Sequence, residues 1–499
     1  MSYVGNKPPF ITIPADDSVT SAMIVDGTIT SGDMAVDPRN ATNLNAGDVP
    51  LAQLDNVPAV DLTGLEDDIA LLGFRVASNG SLAKYNLVDQ TVDDFQDTSG
   101  VNASSSTNEI RDSSGKYYSG EVSASTTAFT TDGTWTVPGG VTTVGVLVIA
   151  GGGGGGYTNG GGRGSAGGAG GLINIAADTW DVTGSATYAI TIGDGGVIQT
   201  PGGTGGNTTV VGDTKTLTAL GGGGGGQGDN TDNATSGGSG GAGWYPGYAG
   251  KASTQPVNTD DGVNTYNTTG KGNAGGTSGA VGPYGAGGGG AGGAGKDFDD
   301  GSNPMEGGAG LDLTSQWGTT YGASGVFAGG GSGSDYNANS NAPATGGGGI
   351  GNNTGNNTGG NTATANTGGG GGAGGDGGSG LVLIGVSASY DNMTLISTTT
   401  AAQAAPTKGD VVFTYTDSIG TATLGTDLTA EISADGGSTW TAMTLGSEGS
   451  TGTHKIATAH DVTISSTITS PWNMAYRIKT LNQSGSKATR IHAVSLGWS

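Results

Sequence analysis

Residues 129–156 read F-T-T-D-G-T-W-T-V-P-G-G-V-T-T-V-G-V-L-V-I-A-G-G-G-G-G-G, an apolar strand-like run that enters six consecutive glycines. Further tracts follow at Gly221–Gly226, Gly287–Gly290, Gly346–Gly349 and Gly368–Gly372, and the stretch closes at 380–386 with G-L-V-L-I-G-V. Two apolar segments therefore bracket a polyglycine interior. A flexible linker is the bland reading, because glycine loses more backbone freedom on folding than any other residue. Several details argue for order instead. Apolar pieces at Leu172–Ile175, Tyr188–Ile192, Val210–Val211 and Leu217–Leu220 punctuate the tracts, and a linker has no use for Trp135, Trp180, Trp244 and Trp317.

Polyglycine has a physical route to order. Extended left-handed helices of the polyproline II type contain no internal hydrogen bonds. Packed side by side, they satisfy one another's N–H and C=O groups, and without Cβ atoms they approach closely enough for Cα–H···O contacts. A side chain inside such a lattice would clash. The tracts must then be nearly pure glycine.

The opening G-T-W-T-V-P-G-G-V-T-T-V-G-V-L-V-I-A-G-G-G-G-G-G resembles the glycine-rich domain of bacteriophage tail fibres. The interrupted tracts are similar to those of the receptor-binding adhesins at the tips of T-even long tail fibres. The resemblance covers roughly half of the chain. It implies a sandwich of polyglycine II helices whose connecting loops form a host-recognition tip.

Composition fits an elongated, mainly β protein. Only 33% of the 499 residues are hydrophobic and 12% charged, so a large conventional core is not expected. The formal net charge of −25 argues against nucleic acid as a partner, since phosphates would be repelled. There is no cysteine to supply disulfides. The N-terminus lacks the pattern of a signal peptide, and no run of 18 apolar residues predicts membrane insertion. A virion protein released by lysis would need neither.

Taken in order, residues 1–60 read as virion attachment and shaft repeats, with Ser18-Val19-Thr20-Ser21 echoed by Thr28-Ile29-Thr30-Ser31. Residues 61–76 carry Leu62, Leu65, Ile69, Leu72 and Val76 at the 3-4-3-4 spacing of a coiled-coil seam. So short a helix needs partners, and a homotrimer is expected; a single amphipathic helix inside a globular domain is the alternative. Residues 77–128 read as a polar connector whose strands pair only in the oligomer. The glycine-rich domain takes 129–387, and strand signals separated by turns across 388–499 predict a C-terminal β-sandwich. There, Ser433–Trp440 (S-A-D-G-G-S-T-W) fits an Asp-box hairpin in which Asp435 closes the turn and Trp440 anchors it.

Most apparent chemistry dissolves on inspection. Gly290–Lys296 matches a P-loop until Asp297, where a Ser or Thr is required. Gly237–Gly241 satisfies G-x-S-x-G only because glycine is abundant. His454, His460 and His492 show no metal-site spacing. No catalytic residue is assigned, although Asp297, Asp299, Asp300 and Glu306 are the acids available to a polysaccharide-cleaving tailspike. Asp297, Asp299 and Asp300 also fit a partial calcium loop. Sugar recognition pairs aromatic faces with polar groups, and the inter-tract loops offer Trp244, Tyr245, Tyr248, Tyr266, Tyr284, Trp317, Tyr321 and Tyr336 among Asn, Asp and Ser.

The expectation is a non-catalytic, homotrimeric phage tail fibre. Its N-terminus would meet a tail or baseplate protein, and its far end a host glycan or outer-membrane protein. A bacterial surface or matrix protein and a depolymerising tailspike are the alternatives.

Overall fold

The computed structural model describes residues 68–75, 84–157, 164–227, 233–245, 247–267, 269–279, 284–298, 305–334, 344–352, 360–465 and 467–499. All of them lie in one compact unit, Leu65–Ser499. The described structure is mainly β. The shaft segment 1–60 falls outside the described residues, as do Leu62, Leu65 and Val76.

The run T-V-G-V-L-V-I forms the strand Thr143–Ile149, and the lack of polar positions after Thr143 has a simple cause. It sits at the centre of an antiparallel sheet between Leu172–Asp181 and Leu381–Val386, with Ser125–Phe129 and Gly270–Lys271 at the edges. Both faces are covered. Val144, Val146 and Val148 join Ile173, Ile175, Val382 and Ile384 in one core, and Leu147 and Ile149 join Leu172, Leu381 and Leu383 in another. Successive side chains of a strand point to opposite faces, so a strand buried on both sides reads as continuously apolar. The first core is closed by a second sheet, Gly133–Thr136 with Thr187–Thr191, Thr208–Gly212 and Lys215–Ala219, which contributes Trp135 and Tyr188.

The two bracketing segments pair directly, Leu381 with Ile149 through Gly385 with Gly145. Much of the polyglycine interior is thus an excursion from one end of this sheet. The partners of the first tract repeat every third residue. Gly151 and Gly154 donate to Gly206 and Gly203, Gly152 and Gly155 to Gly378 and Gly375, and Gly153 and Gly156 to Gly168 and Ser165, all between 2.8 and 3.0 Å. Each run of three residues therefore faces three different neighbours. The neighbours leave no room for a side chain. A Cβ on Gly152 would stand 1.9 Å from Gly369 O, and one on Gly153 would stand 2.2 Å from Gly223 O.

Outside the glycine-rich domain, the chain on its two sides makes a single β unit. The hairpin Lys84–Leu87 and Gln90–Asp93 extends the sheet of Ala488–Trp498, Lys408–Ile419, His454–Thr463 and Gly446–Thr451, with Gln90 opposite Gly497. A second sheet contains Thr394–Ile396, Asn473–Thr480, Leu428–Ser433 and Thr441–Met443. Phe95, Val101 and Tyr118 share one core with Phe413, Ile432, Tyr476 and Val494. This corrects the reading of 77–128 as strands that pair only in an oligomer: they pair within the chain, because Val92, Phe95 and Tyr118 find their cover in the C-terminal strands. The glycine-rich domain is therefore an insertion into the β unit. Its entry and exit run as paired strands, Val122 opposite Ser389 and Ser125 opposite Val386.

Residues 68–75 are helical. Ala70 and Phe74 pack on Val92, Val412, Ile456 and Ala493, while Ile69 and Leu72 of the heptad seam are 50% and 60% exposed. In the C-terminal part, Asp435 Oδ1 accepts from Thr439 N at 2.8 Å and Oδ2 from Thr439 Oγ1 at 2.7 Å, so the carboxylate closes the turn. The Arg477 guanidinium lies 4.4 Å from the Trp440 ring centre.

Gly153→Ala forces a methyl against a fixed carbonyl and costs at least about 3 kcal/mol of stability, read from denaturant unfolding. Gly139→Ala, with nothing within 4 Å of its Cβ, changes stability by less than about 0.5 kcal/mol. Equal effects would contradict the packing described. Separately, burial pushes the Asp93 carboxyl up to about 7, and its Oδ2 has no hydrogen-bond partner. The folded state then holds this proton more tightly than the unfolded chain. The contribution to stability is full below the ordinary Asp pKa of about 4 and is lost as pH rises through about 7. Asp93→Asn should flatten that slope in unfolding free energy across this window; an unchanged slope would refute the assignment.

Candidate recognition end of the glycine lattice

The tracts have two distinct ends. At one, Ala150 donates to Gly171 O, Gly171 to Leu220 O and Gly380 to Gly193 O, so the tracts grow directly out of the sheets. At the other, chain segments far apart in sequence converge. Ser165 N donates to Gly226 O at 3.1 Å, Gly226 N to Ala242 O at 3.0 Å, and Ser165 Oγ to Gly243 O at 2.6 Å. Ser334 Oγ donates to Gly164 O at 3.0 Å, and Gly351 N to Ser332 Oγ at 2.8 Å. Trp244 forms a bridge with Gly285. The tract ends at 156, 164, 226, 243, 285, 334 and 351 thus form one surface from which the connecting loops leave.

Packing is also looser there. Ala166, Ala242 and Ala286 are fully buried and touch one another. The bonds Ala166 N to Ala286 O and Ala286 N to Gly243 O stretch to 3.3 and 3.4 Å, against 2.8–3.0 Å in the first tract. Three methyls spread the tracts by a few tenths of an ångström. Seryl hydroxyls take over part of the bonding that tightly packed glycine backbone does elsewhere.

This end gathers four of the expected contact residues. Trp244 is buried as an anchor, and Tyr245 and Tyr248 flank a turn that remains partly exposed. Gly279 and Ser278 hold that turn, through Gly247 N to Gly279 O at 3.0 Å and Ser278 N to Tyr248 O at 3.1 Å. Tyr284, beside Gly285, packs on Phe298 with ring centres 4.5 Å apart. Tyr157, which ends the first tract, is a partly exposed neighbour that sequence reasoning passed over. Its position directly after six glycines was the available signal.

The other expected contacts lie elsewhere. Tyr266 OH is 3.4 Å from Asp261 Oδ2, and the same carboxylate accepts from Trp180 Nε1 at 2.9 Å, beneath the sheets. Burial, with Asp261 adding to it, pushes the Tyr266 hydroxyl up to about 12. Trp317 is 8% exposed, donates Nε1 to Asn174 Oδ1 at 2.9 Å, and packs with Leu147, Leu383 and Phe327; Tyr321 covers the same core. Tyr336 lies outside the described residues, as do Asp299 and Asp300.

Asp297 Oδ1 accepts from Thr277 N at 2.6 Å. It shares a groove of about 580 Å³ with Lys296 and Glu306 on the flank of the lattice. Among the described residues, no group of three His, Asp or Glu is arranged to hold a metal ion.

Residues 125–387, just over half of the chain, match a family described as a glycine-rich domain. No curated protein matches the chain.

Trp317→Ala should cost about 3–5 kcal/mol of stability, as removal of a core aromatic does, yet leave surface recognition by the folded protein unchanged below its unfolding midpoint. Loss of recognition without loss of stability would move Trp317 into the contact set.

Proposed function

The chain belongs to the glycine-rich domain family, and from that premise we propose that it is a phage tail-fibre protein that binds a bacterial surface receptor without catalysis. The observation that carries this reading is the convergence of loop-bearing tract ends, with Trp244, Tyr245, Tyr248 and Tyr284, on the end of the lattice away from its sheets. Loops held by a rigid scaffold are where recognition usually resides. Aromatic faces set among hydroxyl and amide groups suit a glycan. The tracts themselves fit polyglycine II helices, and the two sheets of the β unit fit a sandwich.

Several fibres on one virion would multiply weak contacts into useful avidity. Self-association is the second part of the proposal. The helix at 68–75 uses one face on its own β unit and leaves Ile69 and Leu72 open, the two described members of the heptad seam. A homotrimer joined along that seam would place the N-terminal segment towards a tail or baseplate protein. The groove holding Asp297 and Glu306 supports a second reading, cleavage of surface polysaccharide, which predicts release of reducing ends that is lost in the double variant Asp297→Asn, Glu306→Gln.

Two measurements test these proposals. Labelled full chain should adhere to cells of some members of a diverse bacterial panel. The double variant Tyr245→Ala, Tyr284→Ala should lower adhesion at least about tenfold, a loss of about 1.4 kcal/mol, with thermal unfolding unchanged. Adhesion to none of the panel, or an unimpaired double variant, would overturn the recognition reading. In light scattering after size exclusion, the full chain should run near three times 48.1 kDa. Ile69→Asp with Leu72→Asp should run near that single-chain mass. A monomeric wild-type chain would end the trimer proposal.

A further inference from the structure

Away from the lattice, the β unit contains a cavity of about 290 Å³ beneath the helix at 68–75. Leu71, Phe74 and Arg75 line it from the helix, and His454 and His492 from the sheet. The two imidazoles stack with ring centres 4.1 Å apart and planes inclined by 21°. A β-bulge puts them there. Thr414 pairs with Ala493 and Tyr415 with Ile491, so His492 is the extra residue opposite the central strand Lys408–Ile419. Bulges re-aim side chains. This one lets two consecutive residues face the helix: Ala493 packs with Phe74, and His492 lines the cavity.

The stack suits uncharged rings. His492 Nε2 lies 2.9 Å from Thr416 Oγ1, the Gly115 backbone also bonds the ring, and Tyr117 tilts against it with ring centres 5.5 Å apart. Burial first, then His454 and Arg490 beside it, pushes His492 down to about 4, and burial also lowers His454. The surrounding charges do not invite a proton either. Arg75 faces the cavity from the helix, Lys116 from the turn between Ile110–Asp112 and Tyr117–Ser119, and Asp94 from the segment after Gln90–Asp93. Nearby charges on the packed strands are engaged already: Arg490 with Glu121, Lys455 with Asp417, and Asp112 with the Ser114 and Gly115 amides. With Arg75 and Lys116 set against Asp94, the described lining carries a formal +1, and one imidazolium makes it +2.

We propose that the stacked pair is an acid-sensitive latch: uncharged, it lets the helix at 68–75 seat on the β unit, and protonation of a ring releases the helix. A charged ring calls for water, and the cavity that would supply it is roofed by Leu71 and Phe74. Arg75 belongs to that roof, so the added repulsion acts on the helix itself. The helix also has the least to lose, being about two turns long and seated through Ala70, Leu71 and Phe74. A histidine whose pKa is lower folded than unfolded stabilises fully above the ordinary value of about 6.5, and that contribution is lost as pH falls towards about 4. Acid thereby frees the helix that carries Ile69 and Leu72 on its open side. The latch lies within one chain, so its failure or success leaves the recognition and trimer proposals untouched.

Asp93 acts with the opposite sign over the same pH window, so the test reads the helix rather than global unfolding. In hydrogen exchange on the full chain, corrected for the intrinsic pH dependence, protection of the amides at 72–75 should fall at least about tenfold between about pH 7 and about pH 4.5. Full recovery of the ordinary histidine pKa on opening would give a fall on the order of eightyfold. Amides of the strand Lys408–Ile419 should keep their protection. His454→Gln with His492→Gln should abolish the fall, and His454→Gln alone should shrink it. In the wild-type chain, the ring protons of His454 and His492 should titrate with midpoints below about 6, a readout that needs no variant to fold. The proposal is overturned by helix protection that does not change with pH, by an undiminished fall in the variants, by the strand opening together with the helix, or by ring midpoints near the ordinary value of about 6.5.

Discussion

The contact that the glycine-rich domain depends on is backbone against backbone. Each glycine of the first tract gives its N–H to one neighbouring segment, and its missing Cβ would fall on a carbonyl of another, as at Gly153 between Gly168 and Gly223. Stability here comes without the apolar side chains that build most cores. It comes from satisfying peptide groups away from water and from dispersion between closely packed backbones. The arrangement offsets the large entropy that glycine loses on ordering. It also explains how a chain with a third of its residues hydrophobic can fold at this length.

The rest of the molecule anchors that lattice. Conventional cores occur where the tracts leave the sheets, around Val146 and Trp180 on one face and around Leu147 and Trp317 on the other. Away from the sheets such cores give way to buried alanines and serine hydroxyls. The domain as a whole is inserted into a two-sheet β unit through two paired connections rather than through free linkers. The ion pair of Arg490 with Glu121 reinforces that junction at 2.9 Å.

How much of this the sequence discloses depends on distance along the chain. The bracketing strands are legible because V-G-V-L-V-I-A and L-V-L-I-G-V are continuous apolar runs of the right length, and the Asp435 turn is legible because all its bonds are local. The demand for pure glycine is legible once close backbone packing is considered. The insertion is not, since Gln90 pairs with Gly497 and nothing near either residue names the other. The same limit hides the stacking of His454 on His492. The heptad spacing at Ile69 and Leu72 is visible, whereas Ala70 and Phe74 stand off that pattern and give no sign that they pack on the sheet. Among the aromatics, composition alone does not separate Trp317, tied to Asn174 in a core, from Tyr245 near the tract ends.

Native-state hydrogen exchange on the glycine amides tests the central claim most directly, because it reads order in segments that have no regular strand or helix of the usual kind. The lattice account predicts that Gly152, Gly153, Gly155 and Gly168 exchange as slowly as amides of the strand Thr143–Ile149, opening together with the domain. Exchange at the rate of an unfolded peptide would mean that the tracts are linkers after all, and it would contradict both the lattice and the proposed recognition surface built on it.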